Sequence, residues 1–304
     1  MDFRLTDEQR QLRDEARRFA QAELPQLARD IEEKNAPLPR GWMKRYGQLG
    51  YLGINLPATY GGHGMSHLDA AIVLEEFAKV SPGVAFPIFE SCFGPILAIA
   101  HFAPEALRKK LIPQVVAGEK IIAVSMSEPD AGSALTDLKT TARERNGHFR
   151  LNGQKRWCSG AGHADGYLVY CRMSDDPGAK GIGALYVEKG AKGFTFGKQE
   201  QLMGFRGVPS ADMYFDEVEV AKENLVVAAG GPSASAAAAD MTSVRAETTI
   251  DAMQDRIMGS SVPKQTSGSS AARDRATGPT AARPSRSPPA ESPLGSSWDV
   301  RRVV

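Results

Sequence analysis

The stretch SMSEPDAGSA, Ser125 to Ala134, follows the apolar run Ile121 to Val124. It carries hydroxyls at Ser125, Ser127 and Ser133 and turns through the small residues Ala131 and Gly132. A chain that leaves a strand this way can bring main-chain N–H groups close to an anion. Gly132 has no Cβ in the way, and Ser133 adds a hydroxyl donor. Such a corner suits an extended polar ligand that carries a phosphate. A second candidate lies at Trp157 to Ser159. Trp157 offers an apolar face, and Ser159, two residues on, points the same way along a strand. Together they can flank and hydrogen-bond a flat heterocycle. Each piece alone has a plainer reading. Trp157, Cys158 and Cys171 read as core, Glu128 as a loop carboxylate satisfied by backbone N–H groups, and Arg206 as a salt-bridge partner. The Tyr60–Gly64 loop reads as a tight structural connection.

The bulk composition narrows the classes. With 304 residues and a formal net charge of +1, the chain has no broad pull toward nucleic acid or membrane. Its three cysteines, Cys92, Cys158 and Cys171, show no CxxC spacing, which argues for a reducing compartment and against a disulfide framework or zinc site. The five histidines are scattered, so no metal is expected. No signal peptide is read at Met1–Arg4, and no apolar run is read as long enough to span a bilayer, so a cytoplasmic location is expected.

The elements that must position these residues fall into three regions, giving an α+β chain with a largely disordered tail. Residues 1–118 read as an all-α helical bundle. Thr6 and Gln9 form a capping box before a helix whose face is Leu12, Ala16, Phe19, Ala20 and Leu24, and Pro25 should break it. A helix over WMKRYGQL should stop at Gly50. Ser66 should cap a buried helix over HLDAAIVLEEFAKV, and two more helices are expected around PILAIAHF and PEALRKKLIPQVV. Residues 119–227 read as a small antiparallel β-barrel or sandwich. Asn146-Gly147 marks a hairpin and Asn152-Gly153 a further tight turn, with MYFDEVEV as the last strand. Residues 228–304 have no Phe, Tyr, Cys, His or Asn and a single leucine, Leu294, a composition that cannot offset chain entropy.

Five motifs in order carry a family resemblance: LTDEQRQLRDEARRFA, GYLGINLPATYGGHG, SMSEPDAGSA, LNGQKRWCSGAGHAD and MGFRGVPSADMYFDEVEVAKENLV. Residues 1–227 resemble the amino-terminal two-thirds of an acyl-CoA dehydrogenase, a flavoprotein family. The resemblance implies FAD as cofactor and α,β-dehydrogenation of an acyl-CoA thioester. It also implies an electron-accepting flavoprotein as partner, and a homo-oligomer. It places Met126 and Ser127 at the flavin ring edge and Gly132 and Ser133 at the pyrophosphate. Trp157, Cys158 and Ser159 would lie at the ring near its reactive nitrogen.

Two departures qualify what is carried over. Ala134 stands where the family usually has Asp, as it does in relatives resembling sulfinopropanoyl-CoA desulfinases. After Val227 the motifs of the family's carboxy-terminal helical domain are missing, and with them the usual catalytic Glu. A frame shift or recombination near codons 228–232 would produce such a change, and activity is then expected to be impaired. The chain would otherwise be a non-catalytic remnant that binds flavin or acyl-CoA, or that pairs with an intact relative. Glu90, Glu128 and Glu247 match no catalytic motif, so no catalytic residue is assigned.

Overall fold

The computed structural model describes residues 4–230. The expected disorder of the tail lies outside these residues from 231 onward. Seven α-helices come first among the described residues: α1 Asp7–Glu23, α2 Pro25–Lys34, α3 Arg40–Leu49, α4 His67–Ala78, α5 Pro82–Cys92, α6 Pro95–Phe102 and α7 Glu105–Val116. The Thr6–Gln9 capping box forms, and Ser66 caps α4 in a second box with Asp69. Gln9 N donates to Thr6 Oγ1 at 3.2 Å, and Asp69 N donates to Ser66 Oγ at 3.2 Å. Pro25 ends α1 by starting α2, where its missing N–H costs nothing. Gly50 closes α3 in the left-handed region, φ 81°. Helix α5 is not among the helices expected above, and its Pro82, Gly83 and Pro87 are helix-breaking residue types. Pro82 sits harmlessly at the start, and burial of Val84, Ala85 and Ile88 carries the helix past Pro87.

One sequence expectation is corrected here. Pro82–Phe102, spanning α5 and α6, is long and apolar enough to cross a membrane by length and composition. More than half of it is buried inside the protein, as in a core helix.

Eight strands follow among the described residues: β1 Ile122–Ser125, β2 Thr141–Arg145, β3 His148–Ser159, β4 Gly166–Arg172, β5 Ile182–Glu188, β6 Phe194–Phe196, β7 Ser210–Ala221 and β8 Leu225–Val227. The order is β6-β7-β3-β2-β4-β5-β8, with β1 beside β4. The sheet is mixed rather than wholly antiparallel, since β1 runs parallel to β4. The Asn146-Gly147 hairpin forms, with φ 52° and 78° as a two-residue turn of this hand requires. Asn152-Gly153 is not a turn. It lies within β3 at a register shift against β7, and Asn152 exchanges hydrogen bonds with Glu217 at 2.6 and 2.8 Å. Gly153 takes φ 140°, and a Cβ there would meet Thr140 Oγ1 at 2.6 Å. The side-chain exchange and the close approach of β2 keep the strand going where the dipeptide alone says stop. Nor is β7 the last strand, since β8 pairs with β5.

A single apolar cluster runs from α1, α3, α4 and α5 into the sheet, so helices and strands share a core. Phe19, Tyr46, Tyr51 and Phe77 interlock at its helical end. At the seam, Arg40 of α3 grips the Asp165 carboxylate at 2.7 and 3.1 Å, and Asp165 accepts Ile121 N at 2.8 Å.

Candidate functional site

The site begins with a lysine in the core. Lys155 shares the inward parity of Phe149 and Leu151 on β3 and is completely buried. Its ammonium donates to the Met126 carbonyl at 2.9 Å and to Glu128 Oε1 at 2.8 Å. Glu128 also accepts Lys139 N at 2.6 Å and Thr140 N at 2.9 Å. Burial pushes the Glu128 carboxyl upward, but these N–H groups and the ammonium outweigh it and hold Glu128 below the ordinary range. Burial pushes Lys155 down, and Glu128 opposes that only in part. The plain reading of Glu128 as a satisfied loop carboxylate is what the geometry shows. Lys155 as its partner was missed, although a lysine at an inward strand position was a signal for one.

This pair fixes the loop's start, and β3 fixes its next residue. Arg156 N donates to the Ser127 carbonyl at 2.9 Å. Ser125 Oγ and Cys158 Sγ lie 3.2 Å apart, both buried. Thus Met126, Ser127, Trp157 and Cys158 are brought together. The Cys158 side chain faces the core, so a ligand can reach only its main chain. Beyond, Glu128 and Ala131 close a tight turn with reciprocal backbone bonds of 2.9 and 3.2 Å. Gly132, Ser133 and Ala134 then stand exposed. Gly132 has a negative-φ backbone and nothing within 4 Å of where a Cβ would sit, so the space beside it is open to a ligand.

Trp157 is the most unusual residue of the group. Between Lys155 and Cys158 the register against β7 shifts, and Trp157 takes φ 54°. A bulky side chain in the left-handed region stores about 1–3 kcal/mol of strain, a cost that marks functional positions more often than structural ones. The bulge re-aims the indole outward, leaving it 60% exposed. The Arg156 guanidinium lies 4.9 Å from the ring centroid. Ser159 is part-exposed on the same flank while Cys158 between them is buried. The hydroxyls of Ser127, Ser133 and Ser159 have no partner among the described residues.

On the other side of the loop, Met126 lines an open groove of about 570 Å³ with Phe102, Leu135, Leu138, Tyr170 and Ile182. Arg206 lies 3.7 Å from Glu32, as its plain reading has it. The Tyr60–Gly64 loop is a close-packed connection, where a Cβ on Gly62 would meet Leu56 O at 2.2 Å.

This arrangement offers a broad exposed aromatic face, free hydroxyl donors at its edge and an open small-residue corner. It suits a planar group joined to an anionic arm. Residues 6–119 match the family model "Acyl-CoA dehydrogenase, N-terminal domain", and residues 123–218 match "Acyl-CoA dehydrogenase, middle domain". The mitochondrial isovaleryl-CoA dehydrogenase of Pongo abelii is 34% identical over 225 residues, covering 73% of this chain and 53% of that protein. A 3-sulfinopropanoyl-CoA desulfinase of Advenella mimigardefordensis is 34% identical over 229 residues, covering 74% of this chain and 56% of that protein. The butyryl-CoA dehydrogenase structure from Megasphaera elsdenii superposes with a TM-score of 0.70 at 30% identity, covering 76% of this chain and 61% of that one. The chain therefore spans a little over half the length of the relatives it matches.

Proposed function

Because the chain belongs to the acyl-CoA dehydrogenase family, we propose that its loop and bulged strand bind FAD and that it acts on an acyl-CoA thioester by α,β-dehydrogenation. The observation that carries this reading is the strained, outward-turned Trp157 beside the free hydroxyls of Ser127 and Ser159. The residues present fit the cofactor. Trp157 would cover an apolar ring face, Ser127 and Ser159 would meet polar ring edges, and Gly132 with Ser133 would leave room and a donor for pyrophosphate. Met126 and Cys158 contribute main-chain groups, held in register by Lys155 and Ser125. When bound, the flavin supplies acceptance of the hydride from the β carbon. The α proton needs a positioned carboxylate, and we assign none among residues 4–230. Turnover is impaired in this reading, because residues 228–304 carry none of the family's later motifs. An electron-accepting flavoprotein, homo-oligomer formation and a cytoplasmic setting for the three free buried cysteines belong to the same proposal.

The test is anaerobic. The full chain, incubated with FAD and passed through gel filtration, should stay yellow, and acyl-CoA should bleach it slowly. A colourless eluate counts against flavin binding. A yellow one that no thioester bleaches leaves the non-catalytic remnant as the better description. A desulfinase-like lyase activity is a second reading, favoured by exposed Ala134 at the usual Asp position. Sulfite release from 3-sulfinopropanoyl-CoA would support it.

A further inference from the structure

Glu90, on α5, lies at the seam between helices and sheet, and nothing described so far uses it. Its carboxylate reaches the end of β3, where Oε1 lies 3.7 Å from the position of a Cβ on Gly160. Gly160 directly follows Ser159, so Glu90 sits one residue from the proposed ring edge. It lines a cavity of about 30 Å³ together with Phe86, Pro87, Met43, Val208 and His163. No lysine or arginine lines that space. The carboxylate has no hydrogen bond or ion pair among the described residues. Of its titratable neighbours, His163 is itself pushed down, by burial first and then by Arg40. The Tyr167 hydroxyl is taken up by the Gly160 carbonyl and Gly162 N.

A partnerless carboxylate in an apolar recess is costly, and such groups call for an explanation. Burial pushes Glu90 up to about 8, the direction such a setting dictates. The space is large enough for a water-sized group. An ammonium is that size, donates up to three hydrogen bonds and brings the charge the recess lacks. Part-exposed Phe86 and exposed Phe89, stacked 5.7 Å apart on the same helix, provide apolar surface for the methylenes leading to it.

We propose that this recess is a subsite for the terminal ammonium of an amino-substituted acyl group, with Glu90 as its counter-ion. The inference rests on the acyl-thioester reading above and narrows its substrate class. The probes are 3-aminopropanoyl-CoA and its near-isostere butanoyl-CoA, titrated calorimetrically into the FAD-treated full chain. Wild type should bind the amino compound about ten-fold or more tightly, the usual worth of a hydrogen bond to a charged group. The preference should grow as pH rises toward about 8, where Glu90 ionises. Glu90→Gln should bring the two affinities within about two-fold. Equal wild-type affinities, or tighter butanoyl-CoA, overturn the subsite while leaving the thioester reading intact. A preference that Glu90→Gln leaves unchanged overturns Glu90's part in it. Binding of neither thioester overturns the parent reading and this inference together. The wild-type comparison needs no variant, so poor folding of Glu90→Gln would not hide the answer.

Discussion

Lys155→Met should expose how the candidate site is held together. The wild-type ammonium has no solvent exposure and bridges the Met126 carbonyl to the Glu128 carboxylate at 2.9 and 2.8 Å. Removing one member of a buried pair costs about 3–5 kcal/mol when the other charge is left bare. Here Glu128 keeps Lys139 N and Thr140 N, so the lower end applies, about 3 kcal/mol. That corresponds to roughly a hundred-fold change in the folding equilibrium. Urea denaturation followed by tryptophan fluorescence would read it, with Glu128→Gln and the double variant completing a cycle. The double variant should cost less than the two singles summed, by about 1–3 kcal/mol, because both remove one interaction. FAD affinity should fall in Lys155→Met as well, since the Met126 carbonyl is released. A loss under about 1 kcal/mol, or strict additivity, would refute the claim that this pair anchors the loop.

Three further outcomes are expected. Trp157→Gly should leave stability unchanged or raise it by about 1 kcal/mol, because glycine tolerates φ 54° and the indole is 60% exposed; FAD affinity should drop in the same protein, which titration would show. Gly153→Ala should destabilise by about 3 kcal/mol, since it adds a left-handed penalty to a clash with Thr140 Oγ1 at 2.6 Å, read by thermal or urea melts. Glu90, raised in the fold from 4.5 to about 8, favours the protonated folded state, so its burden is absent in acid and grows as pH climbs through that window. Glu90→Gln should therefore match wild type in stability near pH 4.5 and exceed it increasingly up to about pH 8, as paired melts across that range would show.

Local signals made much of the fold legible. Thr6, Gln9, Ser66 and Gly50 announce helix ends through their own side chains or backbone freedom, and each does so in the structure. Asn146-Gly147 likewise needs only its own two residues. What escaped depends on partners distant in sequence. Asn152-Gly153 has the same letters as a turn, yet Glu217 and Thr140 make it a bulge. Helix α5 survives its prolines because the core packs around it. In the site, the glycine–serine corner and the tryptophan edge stood out by residue type. Strand alternation rightly put Trp157 and Ser159 on one flank, but it could not foresee that a bulge and positive φ aim the indole outward. Glu90 was invisible as a site residue, since its meaning comes from Gly160 and a recess formed by five separate segments.

The central claim is that the outward-turned indole and the adjoining loop grip one flavin nucleotide. Equilibrium titration of FAD into wild type and into Trp157→Ala, following flavin fluorescence, tests it most directly. Saturable binding by wild type, weakened about ten-fold or more in Trp157→Ala, is the predicted result. Undiminished affinity in the variant, or no binding by wild type, would contradict it.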